Sequence, residues 1–351
     1  MRLAILFLKG DKMRKYAYVT FIIRNDSFLP GALVFAYGLK KQKTQYDLIA
    51  IVSEGFNREA LKALNILFDD VIELKDIFVE HKNRHERQDR PFLFSRFHAL
   101  RLGSDGDLGK AYEKVLVCDA DVLPLRYYDD LFDLNAPAGI INEKKSYCME
   151  DEKGQYVIPD SAYKDGTWLW HDIYKDYPMN ARIPKEITDR VHDDKQNMGI
   201  NASLYLFEPS MSLYNDIQKD LGSSKIQAEI STYPWPEMQY ITQKLSGRWH
   251  NMDLRYSSFN GYPIIDCLYG IHYAGLKPWQ RNHRSIRHFA QFEDYRLWYQ
   301  VFIEMLKEYE TLNTIRKLEK LRYFIRSLWG DENAIFERQE MPAVKAFFDK
   351  K

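Results

Sequence analysis

Residues 115–125 read VLVCDADVLPL. The apolar run from Val115 to Cys118 predicts a buried strand, and two carboxylates, Asp119 and Asp121, follow it directly. Side chains two positions apart in an extended chain point the same way, so these carboxylates repel each other unless a cation lies between them. The pattern favours a hard divalent cation and, bound through it, an anion such as a diphosphate. Aspartate also favours helix caps and turns, and this stretch alone leaves that alternative open.

Strand and helix patterns alternate in the first half of the chain, which is typical of an α/β fold with a mostly parallel sheet flanked by helices. Ligands of such sheets bind beyond the carboxyl ends of the strands, where Asp119 and Asp121 are expected. We predict helices at 30–41, 58–68, 94–102 and 210–221 and one near Pro236, and strands at 17–23, 47–52, 71–74, 114–118, 204–207 and 269–273.

The composition predicts a folded protein with no general affinity for polyanions. The chain has 351 residues, with 50 lysines and arginines balanced by 50 aspartates and glutamates. A formal net charge of zero provides no field that would favour nucleic acid or an anionic membrane. Apolar residues make up 45% of the chain and aromatic residues 15%, which supports a sizeable core and argues against disorder.

The cysteines and the N-terminal sequence predict a cytoplasmic protein without a membrane span. Cys118, Cys148 and Cys267 are widely spaced, show no zinc-binding pattern and suit a reducing compartment. The apolar run Leu3–Leu8 is too short for a signal peptide core. No later run approaches the about 20 apolar residues that a membrane-spanning helix needs.

Two further segments complete the predicted organisation. Residues 143–197 are charged, aromatic and without clear periodicity, and we interpret them as a long surface insertion on the acceptor side. From Phe289 onward, apolar residues recur at helical spacing, which is more typical of a docking face than of a functional site. We therefore expect a catalytic domain at 1–283 and a C-terminal helical extension at 284–351.

A third metal ligand is needed beside the two aspartates, and His272 in IHYAGLKPW is the best candidate. It ends an apolar strand, although a structural strand-end histidine is the more ordinary interpretation when this residue is taken alone. An imidazole with carboxylates suits Mn²⁺ better than Ca²⁺, with Mg²⁺ as the alternative. Lys277 and the backbone at Gly275 could contact a phosphate, and Arg96 could reach a diphosphate with its planar guanidinium.

Together, four blocks resemble the glycogenin-like retaining glycosyltransferases, glycosyltransferase family 8, across residues 16–280. The blocks are AYVTFIIRNDSFLPGALVFAYGLKKQ (17–42), VLVCDADVLPL (115–125), INASLYLFEPS (200–210) and HYAGLKPW (272–279). Their order along the chain is that of the family, which is far more specific than any single motif. The resemblance implies a GT-A (Rossmann-like) fold, a UDP-sugar donor, manganese and retention of the anomeric configuration.

The resemblance also assigns roles to residues of the metal and diphosphate site. Asp119 and Asp121 match the two metal aspartates, with Ala120 between them in the donor-binding set, and His272 matches the metal histidine. Arg96 falls where the family has a basic residue near the diphosphate. Gly275 and Lys277 match the pair that contacts the phosphates.

Further roles follow for the sugar and the nucleoside. Asn201 matches an asparagine that faces the transferred sugar. Glu237 stands where the family has an aspartate followed by glutamine, but Met238 follows it here, so Gln239 could take over the glutamine's role by a shift of one residue. With Asp121, these residues form the predicted catalytic set.

The uridine would be held at the end of the first strand by Thr20, Ile22 and Asn25.

The implied activity is metal-dependent transfer of a hexose, glucose or galactose, from a UDP-sugar to a hydroxyl of a glycan or protein acceptor. Self-glycosylation stays open, because no acceptor stands out among 24 tyrosines. The departure at Met238 also allows a UDP-sugar-binding protein without transfer activity. A sugar-phosphate nucleotidyltransferase is a further alternative, although no glycine-rich, lysine-bearing loop follows the first strand. The C-terminal helices could also mediate a homodimer.

Overall fold

The computed structural model describes residues 15–82, 88–141, 149–150, 156–157, 177–195, 197–261, 265, 268–331 and 333–335. Much of the segment interpreted as an insertion, including Tyr163, Trp168, Trp170 and Tyr174, lies outside the described residues. The acceptor-side role of this segment therefore stays a prediction.

The strands of the described part of the chain alternate with helices up to the fourth strand, as the sequence predicts. In chain order they are β1 (Tyr16–Ile22), β2 (Asp47–Ser53), β3 (Asp70–Leu74), β4 (Lys114–Cys118), β5 (Val122–Pro124), β6 (Ala138–Ile141), β7 (Met149–Glu150), β8 (Tyr156–Val157), β9 (Ile200–Phe207), β10 (His250–Asn251), β11 (Ser258–Phe259) and β12 (Gly270–His272).

Seven of these strands form the central sheet in the order β10-β6-β9-β4-β1-β2-β3. The pairs β1–β2, β1–β4, β2–β3 and β6–β10 are parallel, whereas β9 runs antiparallel to both β4 and β6. The predicted α/β class with a mostly parallel sheet flanked by helices is confirmed. Because β4 lies in the middle of the sheet, the residues that follow it emerge at the centre of the sheet edge.

The helices confirm most of the predicted bounds to within one or two residues. In chain order they are α1 (Leu29–Lys41), α2 (Arg58–Leu67), α3 (Lys185–Thr188), α4 (Arg190–Asp193), α5 (Met211–Leu221), α6 (Ser224–Ile230), α7 (Pro236–Lys244), α8 (Ile286–Phe289), α9 (Glu293–Glu308) and α10 (Arg316–Trp329).

Two predicted elements differ from the structure. The helix expected at 94–102 begins at Arg90, and it is a 3₁₀ helix with Pro91 in its first turn, where proline's missing N–H costs no hydrogen bond. The strand expected at 204–207 begins at Ile200, and all eight of its residues are buried. This longer strand places Asn201 within the sheet rather than in a preceding loop.

α1 is the central helix of the fold. Its residues from Leu29 to Leu39 are all buried, because it packs between the strands β1 and β5 and the helices α2 and α9. Pro30 occupies the first turn of α1, where a missing backbone N–H is tolerated. The near-continuous apolar sequence of α1 follows from burial on all sides rather than on one face.

A second, three-stranded sheet positions the candidate site. Its order is β11-β12-β5, and β12 pairs antiparallel with β5 so that His272 lies opposite Val122. β5 begins directly after Asp121, so this pairing brings the end of β12 next to the carboxylates that follow β4. Two distant parts of the sequence are thereby joined at one edge.

The C-terminal helices pack onto the same core as α1. The hydroxyl of Tyr37 donates to Glu308 at 2.9 Å, and Lys41 pairs with Glu304. Leu297, Phe302 and further apolar residues of α9 and α10 belong to the hydrophobic cluster that contains α1. The predicted helical extension is thus observed up to Trp329, whereas the division into domains at residue 283 stays a prediction.

None of the helices in the described part of the chain has the length and apolar character that a bilayer span requires.

Candidate active site

Asp119 and Asp121 lie at the carboxyl end of β4, at the centre of the main sheet. The backbone N–H of Asp119 donates to the carbonyl oxygen of Ser203 at 3.0 Å, and that of Val122 donates to the carbonyl oxygen of Asp119 at 3.2 Å. The first bond connects the Asp-Ala-Asp segment to β9. The second forms a turn that leads into β5. Asp121 is buried, with 6% of its surface exposed, whereas Asp119 is partly exposed.

His272 completes a three-residue cluster with the two aspartates. Its Nε2 lies 3.4 Å from Oδ1 of Asp121, and the backbone N–H of Tyr273 donates to the carbonyl oxygen of Asp121 at 2.9 Å. One ligand atom from each of Asp119, Asp121 and His272 lies within 4.8 Å of the others.

The cluster fits a divalent cation. Among the described residues, the buried Oδ1 of Asp121 has no hydrogen-bond donor, although a buried carboxylate oxygen normally has one. Two carboxylates and an imidazole form a donor set that suits Mn²⁺. The three residues predicted as metal ligands are therefore brought together, although the identity of the metal stays a proposal.

Lys277 is the cation nearest to Asp121. Its Nζ pairs with Oδ2 of Asp121 and donates to the carbonyl oxygen of Tyr273 at 2.6 Å. Burial favours the protonated form of Asp121, but Lys277 and His272 outweigh it and hold the pKa of Asp121 below its ordinary value. Asp121 is therefore an anion at neutral pH.

Arg96 lies in the cavity, but its guanidinium is engaged by the protein. Nη1 donates to the carbonyl oxygen of Ala202 at 2.8 Å, and Nη2 lies 3.2 Å from Asp119 and 3.5 Å from Glu237. In this structure the guanidinium holds two carboxylates and a strand together. The expected contact of Arg96 with a diphosphate stays a prediction.

The buried charges around Arg96 influence one another. Burial lowers the pKa of Arg96, but Asp119 and Glu237 outweigh this effect, so the pKa is raised and the side chain stays charged. Burial raises the pKa of Asp119, while Arg96 opposes this rise and the charge of Asp121 adds to it. Asp119 consequently takes up a proton more readily than Asp121 does.

The metal cluster opens into a cavity of about 170 Å³. Asn201 and Glu237 line it, and Oδ1 of Asn201 accepts the backbone N–H of Ser203 at 2.8 Å. Their roles toward the transferred sugar stay predictions. The full lining is Arg90, Leu93, Arg96, Asp119, Asp121, Met198, Asn201, Ala202, Pro234, Trp235, Glu237, Met238, Phe259, His272, Ala274 and Lys277.

Gln239 does not reach this cavity. It is fully buried, and its Nε2 donates to the carbonyl oxygens of Lys195 at 2.9 Å and Asn197 at 3.0 Å. Its Oε1 accepts the backbone N–H of Trp235 at 3.0 Å. All of the polar side-chain atoms of Gln239 thus bind the backbone in this structure, and its role in orienting the sugar stays a prediction. Met238 faces the cavity in its place.

The expected nucleoside residues at the end of β1 are only partly available. Thr20 is fully buried and donates its hydroxyl to the carbonyl oxygen of Cys118 at 2.9 Å, and Ile22 is fully buried in the core. Their side chains therefore face the protein interior, and the expectation that the uridine is held at these two residues stays a prediction. Asn25 is exposed, and its Oδ1 accepts the backbone N–H of Ser27 at 2.9 Å. Its role in nucleoside binding stays a prediction.

Ala120 and Gly275 are neighbours of the cavity rather than part of its lining. Ala120 is buried, and its carbonyl oxygen lies close to Gly31 of α1. Gly275 is partly exposed between Ala274 and Lys277. Their assignment to donor binding stays a prediction.

Sequence reasoning missed several cavity residues. Met198, Trp235 and Phe259 line the cavity without having been assigned to the site. Trp235 stands two residues before Glu237, so its proximity to a predicted site residue was an available signal. Met198 precedes β9 and Phe259 pairs with His272 in register, and only the folded structure shows these positions.

Comparison with known proteins places the chain among glycosyltransferases. No family model matches it. An uncharacterized protein of Acanthamoeba polyphaga mimivirus is 25% identical over 320 residues, covering 85% of this chain and 97% of that protein. Galactinol synthase 1 of Arabidopsis thaliana is 22% identical over 341 residues, covering 89% and 87%.

Glycogenin-1 of Caenorhabditis elegans is more similar but over a shorter region. It is 31% identical over 190 residues, covering 48% of this chain and 42% of that protein. A solved structure of an active-site mutant of LgtC matches with a TM-score of 0.49 and 13% identity, covering 81% of this chain and 94% of that chain.

The sequence relatives define the chain as a glycosyltransferase. Its similarity to glycogenins and galactinol synthases confirms the glycogenin-like resemblance carried by its four sequence blocks.

Proposed function

We propose that the chain transfers a hexose from a UDP-sugar to an acceptor hydroxyl, with retention of the anomeric configuration. The observation that carries this proposal is the convergence of Asp119, Asp121 and His272 beside Lys277 at the end of β4. A diphosphate needs cationic partners at a sheet edge, and this cluster provides a cation site next to a lysine.

The three ligands would hold Mn²⁺, with Mg²⁺ as the alternative. When bound, the metal supplies electrostatic stabilisation of the charge that develops on the leaving diphosphate. Lys277 would bind the same diphosphate as a point charge. Arg96 would keep Asp119 ionised and hold it in place, because its guanidinium pairs with that carboxylate in a buried environment.

Asn201 and Glu237 would orient the transferred sugar from the wall of the cavity. Glu237 is held by Arg96, so its carboxylate is fixed rather than mobile. The acceptor hydroxyl would approach on the face from which the diphosphate leaves, and a diphosphate oxygen would take its proton. Trp235 and Met238 would exclude water from the reacting carbon with their apolar surfaces.

The decisive experiment is a donor-hydrolysis screen across UDP-sugars with and without Mn²⁺. We expect hydrolysis of UDP-glucose or UDP-galactose that needs the metal and that is abolished by Asp121→Asn. Asp107→Asn is the matched control, because Asp107 belongs to a second Asp-x-Asp sequence and pairs with Arg101 on the surface. Unchanged turnover in Asp121→Asn would remove the metal site from the proposal.

A UDP-sugar-binding protein without transfer activity is the second candidate. Met238 favours it, because a thioether faces the cavity where the resemblance implies a glutamine amide. Calorimetric binding of UDP with Mn²⁺, without hydrolysis of any donor, would support this alternative over the transferase.

A further inference from the structure

Lys277 holds a position between two anionic partners, one in the protein and one in the proposed donor. Its side chain is mostly buried, and its Nζ lies within reach of Asp121 and of the carbonyl oxygen of Tyr273 at 2.6 Å. The Nζ also lies 5.9 Å from the centre of the Phe28 ring. Lysine has a flexible four-carbon stem, so its ammonium can exchange one anionic partner for another without a change in the backbone.

The two oxygens of Asp121 have different neighbours. Oδ1 faces Nε2 of His272 at 3.4 Å and belongs to the metal cluster, whereas Oδ2 pairs with Lys277. A divalent cation in the cluster and the ammonium of Lys277 therefore act on the same carboxylate. Two positive charges so close together repel each other unless an additional anion is present.

The cavity does not supply that additional anion. Its described lining contains three cationic side chains, Arg90, Arg96 and Lys277, and three carboxylates, Asp119, Asp121 and Glu237. A divalent cation would thus leave the cavity with a net positive charge. A diphosphate would remove this excess and give Lys277 a new partner.

We infer that Lys277 couples the binding of the divalent cation to the binding of the diphosphate. Without nucleotide, its ammonium competes with the cation for Asp121 and weakens metal binding. With nucleotide, the ammonium turns to the diphosphate, Asp121 is released to the metal, and each ligand strengthens the binding of the other. This inference rests on the proposed metal and donor site, and it assigns Lys277 as the residue that makes metal and nucleotide binding interdependent.

Reciprocal coupling can be measured without any turnover. The dissociation constant of Mn²⁺ is determined with and without UDP, by titration with electron paramagnetic resonance detection of free Mn²⁺. Lys277→Met removes the charge and keeps the length of the side chain. Lys317→Met is the matched control, because Lys317 also pairs with an aspartate, Asp26, but does not line the metal cavity.

We expect Lys277→Met to bind Mn²⁺ about tenfold more tightly than the wild type in the absence of UDP, because a neighbouring positive charge is removed. We also expect the factor by which UDP strengthens Mn²⁺ binding to be smaller in this variant. Lys317→Met should match the wild type in both measurements. Mn²⁺ binding that is unchanged or weaker in Lys277→Met without UDP would overturn the inference.

Failure of the inference is distinguishable from failure of the proposed function. A folded wild-type protein that binds no Mn²⁺ even with UDP would overturn both. A wild type with UDP-dependent Mn²⁺ binding, and a Lys277→Met variant with the same dependence, would overturn only the coupling role. Thermal unfolding establishes that each variant is folded, and Lys277→Gln decides the question if Lys277→Met does not fold.

Discussion

The guanidinium of Arg96 lies 3.2 Å from Oδ1 of Asp119, and it links the proposed metal site to Glu237 in the lining of the same cavity. The same nitrogen lies 3.5 Å from Glu237, and Nη1 donates to the carbonyl oxygen of Ala202 on β9. Arg96 is 7% exposed, so these interactions take place largely out of water. One buried cation thus holds a strand end, a helix and a predicted metal ligand in a fixed arrangement.

Replacing Arg96 should therefore damage stability and metal binding together. Arg96→Met leaves the buried Glu237 and the partly exposed Asp119 without their cation, and we expect a loss of about 3 kcal/mol in the free energy of unfolding. Arg96→Lys keeps the charge but cannot reach three partners at once, so we expect a smaller loss and weaker Mn²⁺ binding. Urea denaturation and Mn²⁺ titration measure the two effects. A wild-type Mn²⁺ affinity in Arg96→Met would contradict this account.

The close approach of α1 to the Asp-Ala-Asp segment gives a second prediction. A Cβ added to Gly31 would lie 2.3 Å from the carbonyl oxygen of Ala120 and 2.4 Å from Cη2 of Trp279. Gly31→Ala should destabilise the protein by about 2 kcal/mol and weaken Mn²⁺ binding, because Ala120 lies between the two aspartates.

Gly222→Ala is the control for Gly31→Ala. An added Cβ at Gly222 would meet its nearest atom, the carbonyl oxygen of Lys219, at 3.3 Å, and the residue has an ordinary helical conformation. We expect this variant to bind Mn²⁺ like the wild type. If Gly31→Ala retained both wild-type stability and wild-type Mn²⁺ affinity, the backbone of the site would not depend on this packing.

Local sequence patterns were sufficient to predict the strands that carry the residues of the site. The apolar run of β4 and the aspartates after it predicted a carboxylate pair at a sheet edge, and His272 was recognisable as the end of a second apolar strand. The contact between them depends on the pairing of β5 with β12, which the sequence did not predict; the four-block resemblance implied only that His272 joins the two aspartates. The α/β order was predictable because each strand carries its own apolar pattern.

The sequence did not predict the protein partners of side chains whose direction depends on tertiary packing. Arg96 was expected to face a ligand, but Asp119 and Glu237, both distant from it in sequence, engage its guanidinium. Thr20 was expected at the nucleoside, but its hydroxyl is used between β1 and β4. Such partners come from other elements, so no pattern within a single element reveals them.

The residue at which α7 begins decides whether Met238 or Gln239 faces the cavity. α7 begins at Pro236, and this start turns Met238 toward the cavity and Gln239 into the core. Gln239→Leu would leave the carbonyl oxygens of Lys195 and Asn197 and the N–H of Trp235 without their partner. We expect a loss of about 3 kcal/mol in the free energy of unfolding.

Met238→Leu should change the rate of donor hydrolysis but have little effect on stability. Its side-chain volume is nearly conserved, so we expect a stability change below about 1.5 kcal/mol. Because the branched side chain alters the wall of the cavity, we expect the rate of donor hydrolysis to change. Thermal unfolding and hydrolysis assays on the two variants separate the roles. A Gln239→Leu protein with wild-type stability would show that its hydrogen bonds contribute little.

The last prediction concerns the pH dependence of stability through His98, which lies outside the active site. Its Nε2 is 2.9 Å from the carbonyl oxygen of Lys75, and Nη1 of Arg101 lies 3.1 Å from its Nδ1. Nδ1 therefore accepts, Nε2–H donates, and the ring is neutral. Burial lowers the pKa of His98, the hydrogen bond to Lys75 opposes this effect, and the charge of Arg101 adds to the lowering.

The sign of the stability change follows from proton linkage. In the unfolded chain His98 has its ordinary pKa of about 6.5, so below that pH the unfolded state binds more protons than the folded state does. The free energy of unfolding should fall as the pH drops below about 6.5, until the pH reaches the lower pKa of the folded state.

His98→Gln keeps a donor for Lys75 and cannot titrate, so it should lose less stability between pH 7 and pH 5. His192→Gln, at an exposed position, is the control and should behave like the wild type. Urea denaturation across this range makes the comparison, and equal slopes for the wild type and His98→Gln would show that His98 is not held neutral by its surroundings.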